Sequence, residues 1–203
     1  MMPEILSSPL ALAVWAALGY LLGSVPFGVL IAKTMNLGDL RKIGSGNIGA
    51  TNVLRTGNKL AAFLTLVLDG GKGAVAVLIA RAFALEDAVM LAGFASFLGH
   101  CFPVWLGFKG GKGVATFIGL SLAAAWPVGL LVCATWLVVA FTLRYSSLSA
   151  LTAAALSPVF AYVTGYAEMT VLFIALAVLI YVRHAQNISR LLAGQESKIG
   201  KKG

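Results

Sequence analysis

An all-α integral membrane protein, a bundle of seven transmembrane helices, is what this sequence predicts, and three observations carry that prediction. Hydrophobic residues make up 60% of the chain and charged residues only 11%, far from the composition of a soluble domain. Mean hydropathy is +0.94. The apolar runs are too long for the ten-residue alternating strands of an outer-membrane barrel, so helices, which satisfy their own backbone groups, remain as the way to cross lipid. Residues 1–203 read as a single transmembrane domain.

The first span covers Leu10 to Lys33, beyond the roughly 20 residues that a hydrocarbon core requires. Glu4, and no basic residue, precedes it, which argues against a cleaved secretory signal. Gly19 and Gly23, then Ser24 and Gly28, are small pairs four apart that favour close helix packing. After a polar stretch from Asn36 to Lys59, a second span runs from Leu60 to Leu85, with a break expected at Asp69-Gly70-Gly71-Lys72-Gly73, and Glu86-Asp87 makes a short acidic turn. The third span is Ala88 to Leu106, and a short fourth is Val114 to Ala125. The Trp126-Pro127 turn leads into the fifth, to Leu143. Leu148 to Val163 is the sixth, Gly165 to Glu168 a turn, and the seventh runs from Thr170 into the basic tail.

Charge tests this topology, because cytoplasmic loops concentrate Lys and Arg. With the N-terminus outside and the C-terminus cytoplasmic, 13 of the 15 basic residues fall inside, and Glu4, Glu86, Asp87 and Glu168 fall outside. Only Arg81 and the intramembrane Lys72 depart from the rule. Every polar, glycine-rich segment then lies on the cytoplasmic side. The net charge of +8 belongs to that asymmetry and to anionic membrane lipid, and no nucleic-acid partner is expected.

Four polar segments carry the candidate chemistry. In Lys109-Gly110-Gly111-Lys112-Gly113, glycines that leave backbone amides unobstructed stand beside two ammonium groups, a combination suited to an anion such as phosphate. It is not a Walker A loop: Leu106 stands where the first glycine belongs, and Gly113 follows Lys112 in place of Ser or Thr. In Gly44 to Arg55, Gly44 and Gly46 allow close backbone approach. Ser45, Asn47, Thr51 and Asn52 offer hydrogen bonds there, and Arg55 offers a bidentate fork for phosphate or a lipid headgroup. Asp69 and Lys72, at i and i+3 inside a span, either pair with each other or face a polar cavity. Near the C-terminus Arg183, Asn187 and Arg190 share a helical face beside His184, a candidate base or phosphate ligand. Cys101 and Cys133 match no metal or redox spacing and read as packing residues. No metal site or cofactor is expected.

Taken together, Gly44–Arg55 (GSGNIGATNVLR), Asp69–Gly73 (DGGKG), Gly99–Thr116 (GHCFPVWLGFKGGKGVAT) and Arg183–Lys198 (RHAQNISRLLAGQESK) resemble one family over nearly the whole chain. That family is the bacterial membrane acyl-phosphate:glycerol-3-phosphate acyltransferases of the PlsY type. The resemblance implies transfer of a fatty acyl group from acyl phosphate to glycerol 3-phosphate in the bacterial inner membrane, the first acylation of phospholipid synthesis. An upstream enzyme that forms acyl phosphate is the implied functional partner. The resemblance places the donor at Lys109, Lys112 and the Gly110, Gly111 and Gly113 amides. The acceptor and transition state fall to Ser45, Asn47 and Arg55 with Arg183, His184 and Asn187, while Asp69, Lys72 and Glu196 have structural roles. Soluble-type glycerolipid acyltransferases use an HxxxxD motif, but Trp105 follows His100 by five and Ser189 follows His184 by five. Acyl transfer here proceeds differently, with Ser45 either nucleophile or ligand.

A transporter for a phosphorylated solute would also carry intramembrane charge, but here the polar motifs cluster on one face with no matching outer gate. The seven-span topology predicts that cysteines introduced at Asn58 and at Gly165 react with an impermeant thiol reagent from opposite sides of the membrane. Labelling from one side alone refutes it.

Overall fold

The computed structural model describes residues 4–200, and these form only helices and connecting turns. Two compact units divide the chain, Ile5–Ala124 and, with Glu4, the residues from Ala125 onward.

In the first unit, α1 (Pro9–Gly23) and α2 (Phe27–Thr34) are the two halves of one span, Pro9–Thr34. Ser8 caps α1 by accepting from the Ala11 amide, and proline occupies its first turn, where a missing N–H costs nothing. The halves part at Ser24-Val25-Pro26, because Pro26 offers no amide to continue the helix. A four-residue turn, α3 (Ala50–Val53), precedes α4 (Lys59–Phe83), which Asn58 caps through the Ala61 amide. α5 (Glu86–Cys101) and the 11-residue α6 (Val114–Ala124) complete the unit.

Packing runs through glycine. α1 lies on α5 and α4 lies on α6 so closely that a Cβ at Gly19 would strike the Ala92 carbonyl, one at Gly23 that of Ser96, and one at Gly119 that of Gly70. The break expected at Asp69–Gly73 is absent: α4 is continuous over 25 residues. Gly70 and Gly73 serve approach instead, since a Cβ on Gly73 would sit 2.6 Å from the Thr116 carbonyl oxygen. Glu86 and Asp87 are likewise the first turn of α5, where carboxylates favour the helix dipole. Arg81, out of place by loop charge, donates to the Ala123 and Ala124 carbonyls at the end of α6 and pairs with Glu86 at 3.0 Å.

The second unit holds α7 (Trp126–Leu143), α8 (Ser146–Val163), α9 (Thr170–Arg183) and α10 (Ala185–Leu192). Trp126-Pro127 is the first turn of α7 rather than a separate turn. α8 packs on both α7 and α9. α10 departs from the line of the Ala167–Arg183 segment by 64° at His184.

By length and composition five segments of the described residues can cross a membrane: Pro9–Thr34, Lys59–Phe83, Glu86–Leu106, Trp126–Leu143 and Ser146–Val163. The bent pair at His184 makes six, and α6 is shorter than such a span. The surface is inverted relative to a soluble protein: Phe63, Leu66, Val75, Leu78 and Ile79 of α4 are exposed, whereas Thr65, Asp69 and Lys72 are buried. Lipid as solvent requires that arrangement.

Glycine contacts of this kind predict opposite signs at two positions. Gly23→Leu should overpack the α1–α5 contact and cost about 1–3 kcal/mol. At Gly71 a Cβ meets nothing within 4 Å, so Gly71→Ala should be neutral or stabilise by up to about 1 kcal/mol. Thermal unfolding of the two variants in detergent compares them directly.

Candidate functional site

Asn52 organises the first polar loop. It is 2% exposed, and its amide nitrogen donates both hydrogens, to Leu40 O at 2.9 Å and Asn47 O at 2.7 Å. Its oxygen accepts from the Ser45 amide at 3.0 Å and the Ser45 hydroxyl at 3.3 Å, with Arg55 Nη1 at 3.5 Å. Asn52 therefore holds the loop through both its amide nitrogen and its amide oxygen. Ser45, Thr51 and Arg55 are exposed, and Asn47 is half-buried. Gly44 and Gly46 have φ of 52° and 69°, a region open to glycine. Gly44 also lies against Arg55 and Asn52, where a Cβ would meet the Arg55 side chain at 2.5 Å.

The Gly/Lys loop is built differently from the expectation. The Gly110 amide donates to Cys101 O and the Gly111 amide to His100 O, each at 3.1 Å, so these two amides close the turn onto the end of α5. Lys109 is exposed and Lys112 half-buried, so Lys109 is the cation this loop leaves at the surface. Arg41 Nη2 donates to Lys109 O at 2.6 Å, tying the segment before Gly44 to the head of the Gly/Lys loop. The two residues are 68 apart in the chain, and no local sequence pattern marks the link.

Beneath lies a buried polar cluster. Lys72 Nζ is 2.8 Å from Asp69 Oδ1, the expected i,i+3 pair. The same ammonium donates to Val25 O at 2.8 Å, in the break between α1 and α2. His100 Nδ1 lies 3.6 Å from Asp69 Oδ1. His100 lies within the Gly99–Thr116 motif but is given no role by it and fails the HxxxxD pattern; no local pattern announces a contact made between two helices.

In the second unit, His184 sits at the bend between α9 and α10 and is buried. Its Nδ1 is 2.8 Å from the Ile180 carbonyl; since a carbonyl accepts only, Nδ1 carries the hydrogen and the neutral ring's Nε2 is the acceptor. Glu196 gathers the rest: Ser147 Oγ and Asn187 Nδ2 donate to Oε1 at 2.7 and 2.6 Å, and Arg190 Nε to Oε2 at 2.7 Å. Arg190 is thereby engaged inside the chain, and Arg183 is half-buried one residue before the bend. Burial raises the Glu196 carboxyl, but hydrogen bonds from Asn187, Ser147 and Arg190, with the Arg190 charge, outweigh it and hold the group below its ordinary value. Among the described residues no group of three or more His, Cys, Asp or Glu is placed to hold a metal ion.

The family model described as glycerol-3-phosphate acyltransferase matches residues 13–194. The chain is similar to a glycerol-3-phosphate acyltransferase of Jannaschia sp. (strain CCS1), 65% identical over 201 residues and 99% of each chain. It is similar to another from Mesorhizobium japonicum, 59% identical over 185 residues, 91% of this chain and 94% of that one. The crystal structure of PlsY (YgiH), an integral membrane glycerol 3-phosphate acyltransferase, in its glycerol 3-phosphate form is 42% identical with a TM-score of 0.88, covering 93% of this chain and 96% of its own. The lysophosphatidic acid form gives 39%, 0.84, 93% and 95%.

A depressed carboxyl stabilises the fold while ionised, fully so above its unfolded value near pH 4.5, and loses that contribution as pH falls through the lower folded value. Thermal unfolding followed from about pH 6 to about pH 4 and below should show a smaller acid loss in Glu196→Gln than in wild type. Equal losses would remove Glu196 as the source.

Proposed function

The chain belongs to the glycerol-3-phosphate acyltransferase family, and from that premise we propose that it moves a fatty acyl group from acyl phosphate to glycerol 3-phosphate. The products are 1-acylglycerol 3-phosphate and inorganic phosphate. The chain is a multi-pass membrane protein; we place it in the inner membrane with its polar loops facing the cytoplasm and its N-terminus outside. In that reading α6, roughly 16 Å long against a core of about 30 Å, counts as a crossing, because only then do Arg144, Arg183 and Lys198 lie inside. An enzyme supplying acyl phosphate acts before it.

The observation that carries the donor is the partner of Ser45. Its hydroxyl meets the Asn52 amide oxygen, which is not a base, so nothing in the contact raises the hydroxyl's nucleophilicity. Ser45 then acts as a ligand, and the donor must arrive already activated. An acyl phosphate is such a donor, and Lys109 and Lys112 suit its dianionic head. The acceptor's 1-hydroxyl oxygen attacks the acyl carbonyl, the anhydride C–O bond breaks, and phosphate leaves with the electron pair. Arg55, Asn47 and Thr51 bind acceptor phosphate and hydroxyls. Arg183 supplies positive charge, and His184 and Asn187 orient reacting groups in the transition state, His184 through Nε2.

No side chain is required as general base in this reading. A phosphate monoester, with a second pKa of about 6, can take the hydroxyl proton itself.

Purified protein given acyl phosphate and glycerol 3-phosphate should release phosphate one for one with product; turnover with acyl-CoA in its place would overturn the donor assignment. In the same assay His184→Gln, which keeps hydrogen bonding but cannot titrate, should lose roughly tenfold or less. A loss of about 10²–10⁴-fold with disappearance of a near-neutral inflection in kcat against pH would make His184 the base.

A further inference from the structure

We infer that His100 is a positioning residue for the Gly/Lys loop: its ring, oriented by the buried Asp69–Lys72 pair, seats Gly111 and thereby fixes Lys112. This deepens the donor reading above and rests on it for the substrate, though not for the geometry.

His100 is 5% exposed, at the last turn of α5. A Cβ placed on Gly111 would collide with His100 Nε2, and would stand 3.0 and 3.1 Å from Cε1 and Cδ2. The ring edge therefore lies against the Gly111 backbone. Gly113, at φ 81°, meets the fully buried Phe97 in the same way, its Cβ position falling on the ring carbons Cε2 and Cζ. Lys112 is thus held between two glycines, each seated on an aromatic ring one turn apart on α5. The Gly111 amide bond to His100 O closes the contact from the backbone side, and the Thr116 hydroxyl, donating to Asp69 O at 2.8 Å, fixes the chain as it leaves.

Phe97 needs only packing to hold its place, but a histidine buried in an apolar bundle needs a polar reason. Asp69 supplies it: Oδ1 faces Nδ1 at 3.6 Å, longer than a hydrogen bond but a short distance for a charge acting on a ring dipole in a low dielectric. The carboxylate is in turn fixed by Lys72, whose ammonium also donates to Val25 O and lies 5.7 Å from the centre of the Phe27 ring. Position therefore passes from the α1–α2 break through Lys72, Asp69 and His100 to Gly111 and Lys112. A loop offering phosphate a cation on a glycine backbone gains affinity only if that backbone is held, because otherwise binding must order it.

The test combines kinetics with hydrogen exchange of the 107–113 segment in detergent-solubilised protein. His100→Ala should speed exchange of that segment and raise the KM for acyl phosphate by between roughly tenfold and a hundredfold, leaving kcat and the glycerol 3-phosphate KM within about twofold. Gly111→Ala, damaging alone through its collision with the ring, should add little in the His100→Ala background. If His100→Ala does not accumulate in the membrane, His100→Asn, which keeps a donor toward Asp69 but removes the ring edge at Gly111, is read the same way. Unchanged exchange, or additive Gly111 and His100 effects, overturns the positioning. Faster exchange with only the acceptor KM raised leaves the positioning standing and removes the donor reading.

Discussion

One buried ion pair constrains the Ile5–Ala124 unit more than any other interaction. Asp69 and Lys72 are 2% and 4% exposed on a helix whose outer face is apolar, so neither water nor lipid can solvate them. Each charge left alone at that depth would cost about 2.5–3.5 kcal/mol on insertion scales, and breaking a buried pair about 3–5 kcal/mol. Such charges are tolerated only with partners within reach, and beyond each other the partners found lie outside α4. Val25 stands at the break between α1 and α2, His100 on α5, and the Thr116 hydroxyl on α6 closes on the Asp69 carbonyl. Satisfying two charges on α4 therefore fixes where the α1–α2 break and α5 come, and the backbone bond from Thr116 brings α6 to the same turn.

Glycine makes those distances possible. A side chain at Gly23, Gly73 or Gly119 would meet backbone rather than a flexible tip, so the helices approach with their backbones in contact, as association without a hydrophobic driving force favours. The same logic extends to the loops: Gly44 lies against Arg55, Gly111 against His100 and Gly113 against Phe97. What in sequence resembles a set of flexible glycine loops is a set of close contacts.

That difference explains what the sequence disclosed and what it withheld. Hydropathy located the five long apolar spans and the bent sixth, since lipid imposes an apolar surface whatever the detail, but left α6 short of a span; helical spacing put Asp69 and Lys72 within reach of each other without deciding between pairing and a polar cavity. The expected break in α4 failed because glycine in a helix reads the same whether it interrupts the helix or admits a neighbour; only Thr116 and Gly119 opposite it decide. The bend at His184 has no Pro or Gly to mark it. In the site, Ser45 and Arg55 were legible as exposed polar groups, but Asn52 was not separable from them, because its burial depends on Leu40 and Asn47 folding over it. The Gly110 and Gly111 amides appeared available for an anion until the return of the loop onto Cys101 and His100 used them. Which segments are polar was legible; partnership between distant residues was not.

Magnitudes give this division a mechanistic meaning. Holding two reactants in alignment can supply roughly 7–11 kcal/mol of a barrier, whereas a general base supplies about 10²–10⁴-fold, or roughly 3–5 kcal/mol. In the proposed reaction, each unit's buried polar groups serve the larger quantity. Asn52 holds Ser45 beside Arg55, Glu196 holds Asn187 and Arg190, and Ile180 fixes the tautomer of His184. A reaction between an activated donor and an acceptor that carries its own phosphate needs little more than that alignment, and an enzyme in lipid that buries extra ionisable groups to add a base would pay desolvation on each. The fold concentrates its buried polarity on holding residues and leaves Lys109 and Arg55 exposed on its loops, where the proposed reaction puts its anionic substrates.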